Sequence, residues 1–137
     1  MKKHIVKFLF VSILSISAYS QTTKQLGDFS KVTGFDKIEI HLVPSNQNKI
    51  ELQGTNSEQV ELVTKDDELK IRMPLGKLLK GEDVVATVYF KNLEAVEANE
   101  GSSVIGYETI KSNLFDIIAK EGGKVKIAVN TSKISVK

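Results

Sequence analysis

The chain has 137 residues, with 19 Lys and Arg against 17 Asp and Glu, two His, no Cys and no Trp. The lack of cysteine excludes a disulfide framework and any thiolate metal site, so core packing must hold the fold. Three of the lysines, Lys2, Lys3 and Lys7, fall in the first 20 residues; without them the balance is 16 against 17, and a net charge of −1 gives no electrostatic reason to expect nucleic acid or an anionic membrane as partner.

The three lysines precede an apolar run from Phe8 to Ile16, and small residues follow at Ala18 and Ser20. That is the order of an export signal, cut between Ser20 and Gln21. The run is well short of the roughly 20 residues that cross a bilayer, so no membrane span is expected after cleavage. The expected product is exported, to the periplasm, the cell surface or the medium. Residues 21–34 are expected to form a lead-in, and residues 35–137 a single domain that stops short of a complete final layer; the chain beyond Ser20 is too short for two domains.

Beyond the signal, apolar and polar residues alternate with the period of a strand. Ile38, Ile40 and Leu42 alternate with Glu39 and His41, and after Pro44-Ser45-Asn46-Gln47-Asn48 the pattern resumes at Ile50 and Leu52. This predicts a hairpin. Val60, Leu62 and Thr64 are expected to face Leu69, Ile71 and Met73 in a second hairpin across Lys65-Asp66-Asp67-Glu68, ended by Pro74. One helical turn capped by Asn56 or Ser57 fits between the two. Leu75 to Asp83, with Gly76 and Gly81 around Leu78-Leu79, predicts a loop whose apolar tip is tucked onto the domain. Val84 to Phe90 is β-branched and aromatic throughout, as expected of a strand buried on both faces.

From Asn92 the chain repeats. An offset of 21 matches Asn92 with Asn113, Leu93 with Leu114, Ala98 with Ala119, Glu100 with Glu121, Gly101 with Gly122 and Val104 with Val125, and places Val96 on Ile117. Short strands separated by Asn and Gly turns at a period near 20 residues point to an all-β solenoid whose layers stack. Val96 on Ile117 and Val104 on Val125 then form inward ladders. Ile134 and Val136 begin a third layer, whose open edge offers a place for a partner chain or a second copy.

Gly27-Asp28-Phe29-Ser30-Lys31-Val32, Gly34-Phe35-Asp36-Lys37-Ile38, Leu69-Lys70-Ile71 and Glu100-Gly101-Ser102-Ser103-Val104 together resemble the putative auto-transporter adhesin, head GIN domain family. The resemblance implies a secreted or cell-envelope domain built as a right-handed β-helix-like stack, with hairpin strands at its N-terminal side. It implies no catalytic residues, and the family's biochemical role is unassigned. The family's Gly-Ser-Gly turn appears here as Gly101-Ser102-Ser103 and Gly122-Gly123-Lys124, and members generally run several layers further.

Few residues invite chemistry. Beyond Ser20 the only histidine is His41, expected to face solvent, so neither a triad nor a multi-histidine metal site can assemble within one chain. Glu100 and Glu121, stacked one layer apart, would stand roughly 5 Å from each other. They could hold a calcium ion or serve as acid and base in glycan cleavage, although solvation at a turn is the simpler role. Asn92 and Asn113 are expected to form a turn ladder. Asn130-Thr131-Ser132 fits a glycosylation sequon. With Tyr89, Phe90, Tyr107 and Phe115 as the only nearby aromatics, the sequence favours a non-enzymatic module without metal or cofactor, its partner a polysaccharide or an envelope protein, over a glycan-active enzyme.

Overall fold

The structure, a computed structural model, describes residues 21–137; the expected export signal lies outside the described residues. Twelve strands follow in order: β1 (Gln21–Gln25), β2 (Lys31–Gly34), β3 (Glu39–Pro44), β4 (Lys49–Gln53), β5 (Glu61–Lys65), β6 (Glu68–Arg72), β7 (Val85–Phe90), β8 (Ala95–Ala98), β9 (Ser103–Gly106), β10 (Ile110–Ala119), β11 (Lys124–Lys126) and β12 (Val129–Val136). The only helical segments among the described residues are two short 3-10 turns, Ser57–Gln59 and Leu75–Lys77. The first follows Asn56, whose side chain does not cap it.

The strands form two mixed six-stranded sheets, one ordered β1-β4-β7-β3-β9-β11 and the other β12-β10-β8-β2-β6-β5. We call them sheets A and B. Their centres are parallel, and antiparallel strands occur only at one end, β1 and β4 in sheet A and β5 in sheet B. Alternation along each strand turns one face inward, and the inward residues, among them Val32, Ile40, Leu42, Leu69, Ile71, Val88, Val96, Val104 and Phe115, join in one core. Burying each such side chain contributes about 1.5–3 kcal/mol.

The 21-residue repeat sets the register of strand pairing. Val96 opposes Ile117 and Ala98 opposes Ala119 in sheet B, while Val104 opposes Val125 in sheet A. The same layer recurs upstream in less recognisable sequence, Val32 opposing Val96 and Ile40 opposing Val104. Ile134 and Val136 open a further layer, opposite Phe115 and Ile117. Close stacking constrains side-chain size at the turns: a Cβ on Gly123 would stand 2.0 Å from the Ala98 carbonyl oxygen. Residues 21–34 supply β1 and β2, and β2 lies inside sheet B between β6 and β8.

The hairpin expected over residues 38–54 does not form. β7 lies between β3 and β4, parallel to the first and antiparallel to the second. Ser45–Asn48 therefore arches over the end of β7. The Ser45 N–H donates to the Phe90 carbonyl at 2.8 Å and the Lys91 N–H to Asn48 Oδ1 at 2.9 Å, which gives the end of β7 its partners and explains why Asn48 is buried. The second hairpin forms as expected, with Leu62 opposite Ile71 and Thr64 opposite Leu69. Its two-residue turn, Asp66 (φ 52°) and Asp67 (φ 66°), has the doubly left-handed form that suits strand twist.

Two further expectations are corrected. The strand at Val84 to Phe90 is buried on one face, not both: Val84, Ala86, Val88 and Phe90 enter the core, while Val85, Thr87 and Tyr89 are half-buried on the outside of sheet A. There Tyr89 lies beneath Lys49 Nζ, 4.5 Å from its ring centre, and donates to Glu51 at 3.2 Å. Asn113 lies within β10 and not in a turn, and neither it nor Asn92 has the left-handed backbone expected of a turn ladder.

Candidate functional site

The turns that carry the chain from sheet B to sheet A stack along one side of the molecule and bring acidic residues together. Asp36, Glu100 and Glu121 take equivalent places, with φ of 57°, 50° and 52°. The Lys37 N–H donates to the Glu100 carbonyl and the Gly101 N–H to the Glu121 carbonyl, both at 3.0 Å. Stacking therefore places Glu100 beside Glu121, as the repeat predicts, and adds Asp36, a residue that sequence reasoning missed. Phe35-Asp36-Lys37 and Asn99-Glu100-Gly101 have no residue in common, and an acidic middle position is the one signal they share.

The three carboxylates differ in setting. Glu121 is exposed, Glu100 half-buried and Asp36 1% exposed. Burial raises the Glu100 carboxyl above its ordinary range, and hydrogen bonding to Asp36, the Asp36 charge and the Glu121 charge push it the same way. Asp36 has a structural role, since its carboxylate accepts from the Met73 N–H at 2.9 Å and the Leu79 N–H at 3.2 Å. Among the described residues no group of three or more His, Asp or Glu could hold a metal ion. The aromatics named for a sugar platform do not converge either. Phe90 and Phe115 are in the core, and Tyr107 lies against His41 at the outside of sheet A, ring centres 5.4 Å apart. His41 is bonded to Glu39 at 2.5 Å and only partly exposed.

The outer face of sheet B holds a charge network across three strands and the turns beside them. Lys31 Nζ lies 2.6 Å from Glu97 and 3.6 Å from Glu68, while Asn99 and Lys120 donate to the other Glu97 oxygen at 3.1 and 3.2 Å. Burial alone would raise the Glu97 carboxyl; the hydrogen bonds from Lys31, Asn99 and Lys120, with the Lys31 charge, outweigh it and lower the pKa to about 2. The network ties layers together and leaves its charges paired. A separate polar depression gathers Asn92, Asn113, Asn130, Ser112 and Thr131, so the asparagines form a strip along one edge.

Three sites are exposed and apolar. The leucine loop is not tucked in: Leu75, Leu78 and Leu79 are 89%, 52% and 49% exposed. At the far end of the stack, Leu114, Ile134 and Val136 are exposed, and β12 pairs only with β10. Tyr107 is the third. None of the described helices is long and apolar enough to cross a membrane.

Solved structures share this architecture. The chain superposes on a putative adhesin from Bacteroides fragilis with a TM-score of 0.77 at 16% identity, covering 88% of this chain and 58% of that one. A putative adhesin from Parabacteroides merdae gives 0.74 at 17% identity, over 88% and 52%, and one from Parabacteroides distasonis 0.73 at 15%, over 85% and 51%. The chain thus spans little more than half the length of these proteins, and at such identities the likeness concerns the fold. No curated relative matches the sequence. The stacked turns and the register at offset 21 are carried by residues 28–137, and these match the sequence profile of a single family: the chain belongs to the putative auto-transporter adhesin, head GIN domain family, whose function is unknown.

Proposed function

We propose that this chain is an exported, non-enzymatic interaction module of the cell envelope, a right-handed β-solenoid that engages an envelope protein, a polysaccharide or a second copy of itself. The observation that carries the interaction role is the open end of the stack. β12 offers an unpaired edge eight residues long, and Ile134 and Val136 beside it are 54% and 69% exposed. Soluble proteins commonly cover or charge such edges, because a free ladder with apolar side chains recruits another strand. The absence of a carboxylate pair set in an aromatic groove, among the described residues, favours binding over glycan cleavage.

The test is localisation. The chain is expressed in a host of the kind suggested by its structural neighbours, the cells are fractionated, and protease is added to intact cells. Digestion of a product beginning at Gln21 is the expected result. Recovery of an intact, uncleaved chain in the cytoplasm would overturn the export reading.

A further inference from the structure

The layers differ in one turn. Across β2 and β6 partners stand 37 residues apart, as at Val32 and Leu69; across β3 and β7 they stand 46 apart, as at Glu39 and Val85. The β6–β7 connection is therefore nine residues longer than the β2–β3 turn it stacks against, whereas the β8–β9 and β10–β11 turns keep a constant offset. The insertion is Pro74-Leu75-Gly76-Lys77-Leu78-Leu79-Lys80 and its flanks. In stacked folds insertions of this kind map to loops on one face, often the binding face.

Its composition and geometry are unusual for a free loop. Three of the seven large exposed apolar residues among the described residues lie within these five positions, Leu75 to Leu79. Leu79 has φ of 60°, a conformation that costs a bulky residue of order 1–3 kcal/mol and that surrounding structure must enforce. The enforcement is visible: the buried Asp36 carboxylate holds the Leu79 N–H, and the Asp36 carbonyl accepts from Gly81 at 2.9 Å. The base is fixed and the leucines point out. Lys77 and Lys80 stand among them with no acidic residue between Leu75 and Lys80; Glu82 and Asp83 follow at the base, where Glu82 faces Lys37 at 4.0 Å.

We propose that the Leu75–Lys80 tip is a membrane-surface anchor that inserts its leucines into the interface of a bilayer carrying anionic headgroups, with Lys77 and Lys80 at headgroup level. Apolar side chains ringed by lysine are the composition that partitions into such an interface, and lysines near an anionic surface each strengthen binding about fivefold. The net charge of the chain is not a guide here, because attraction is governed by charge within a Debye length of the surface.

The absence of cysteine makes a site-specific test direct. Gly76→Cys, which adds a side chain in open space at the tip and leaves the leucines and lysines in place, and as a control Asn46→Cys in the exposed turn after β3, are each labelled with an environment-sensitive fluorophore in the full chain. Each is mixed with phosphatidylcholine vesicles with and without phosphatidylglycerol. The tip label is expected to shift to the blue and to be quenched by bromolipid only on anionic vesicles, with the control label unchanged. Replacing Leu75 and Leu78 by Ser and Leu79 by Asn, which suits a left-handed backbone, should abolish the shift with the fold retained by circular dichroism; Lys80→Gln should weaken binding about fivefold. A tip label that stays solvent-like on both vesicles, responds equally to both, or still shifts after the leucines are replaced overturns the proposal. None of these outcomes depends on β12 or on localisation.

Discussion

The two ends of the stack are finished differently. At the β1, β4 and β5 end, antiparallel strands close the sheets, and the core beneath, Leu52, Leu69 and Ile71, is at most 1% exposed. At the β11 and β12 end the strands are parallel to their neighbours, Val125, Ile127 and Val129 are only partly buried, and Ile134 and Val136, in register with Phe115 and Ile117, are left exposed. β5 turns straight back on β6, and β4 returns antiparallel beside β7. A parallel layer needs another layer above it to be covered to the same degree.

The contrast can be broken by mutation. Ile71→Ala, at the closed end, is expected to cost about 2–5 kcal/mol in urea unfolding, since it leaves a cavity in a fully buried site. Gly123→Ala forces a methyl group onto the Ala98 carbonyl and should cost about 1–3 kcal/mol; an unchanged urea midpoint would mean that the last layer shifts freely on the stack. Between the ends, Glu97 should make the protein sensitive to acid. Its folded pKa of about 2 is below the ordinary 4.5, so its contribution is present above pH 4.5 and disappears as pH falls toward 2. The loss is on the order of 2 kcal/mol and should vanish from the acid limb in Glu97→Gln. Glu100 acts with the opposite sign, since its raised pKa makes protonation favour the folded state.

Smaller effects sharpen the same comparison. The Ser102 hydroxyl is buried and has no hydrogen-bond partner among the described residues, so Ser102→Ala should be neutral or stabilise by up to about 1 kcal/mol, as read from thermal melts. Ile134→Ala is expected to cost less than about 1 kcal/mol in dilute solution, because half of the side chain is already wet. A cost that grows with protein concentration would show that the open end is covered by a second copy.

Much of the stacking was legible in the sequence because residues 92–104 and 113–125 share six of thirteen positions, and identical side chains stacked in parallel impose the pairing offset. The upstream layer was not, since Val32 and Val96 are its only shared residue among the opposed strand positions, and shape rather than identity carries the repeat there. The false hairpin at 38–54 shows why local reading fails in this fold: alternation and a short polar loop predict two adjacent strands, but nothing in them announces that β7, more than 30 residues later, will enter between them. Of the site, the Glu100–Glu121 stack was readable. The buried role of Asp36 was not, because its partners are backbone N–H groups from another layer, and neither was the exposure of the leucine loop, which depends on a strained backbone.

The arch of Ser45–Asn48 over β7 also bears on the order in which the chain can acquire structure. β3 and β4 cannot zip together as a nucleus, since the place between them belongs to a strand 46 residues downstream of β3. Sheet A must therefore wait for β5, β6 and β7 to emerge, and Asn48 gains its partner on Lys91 only when that strand arrives. A molecule assembled this way exchanges early local pairing for closure of long loops, which is slow, and it locks its first strands only after two-thirds of its length is available.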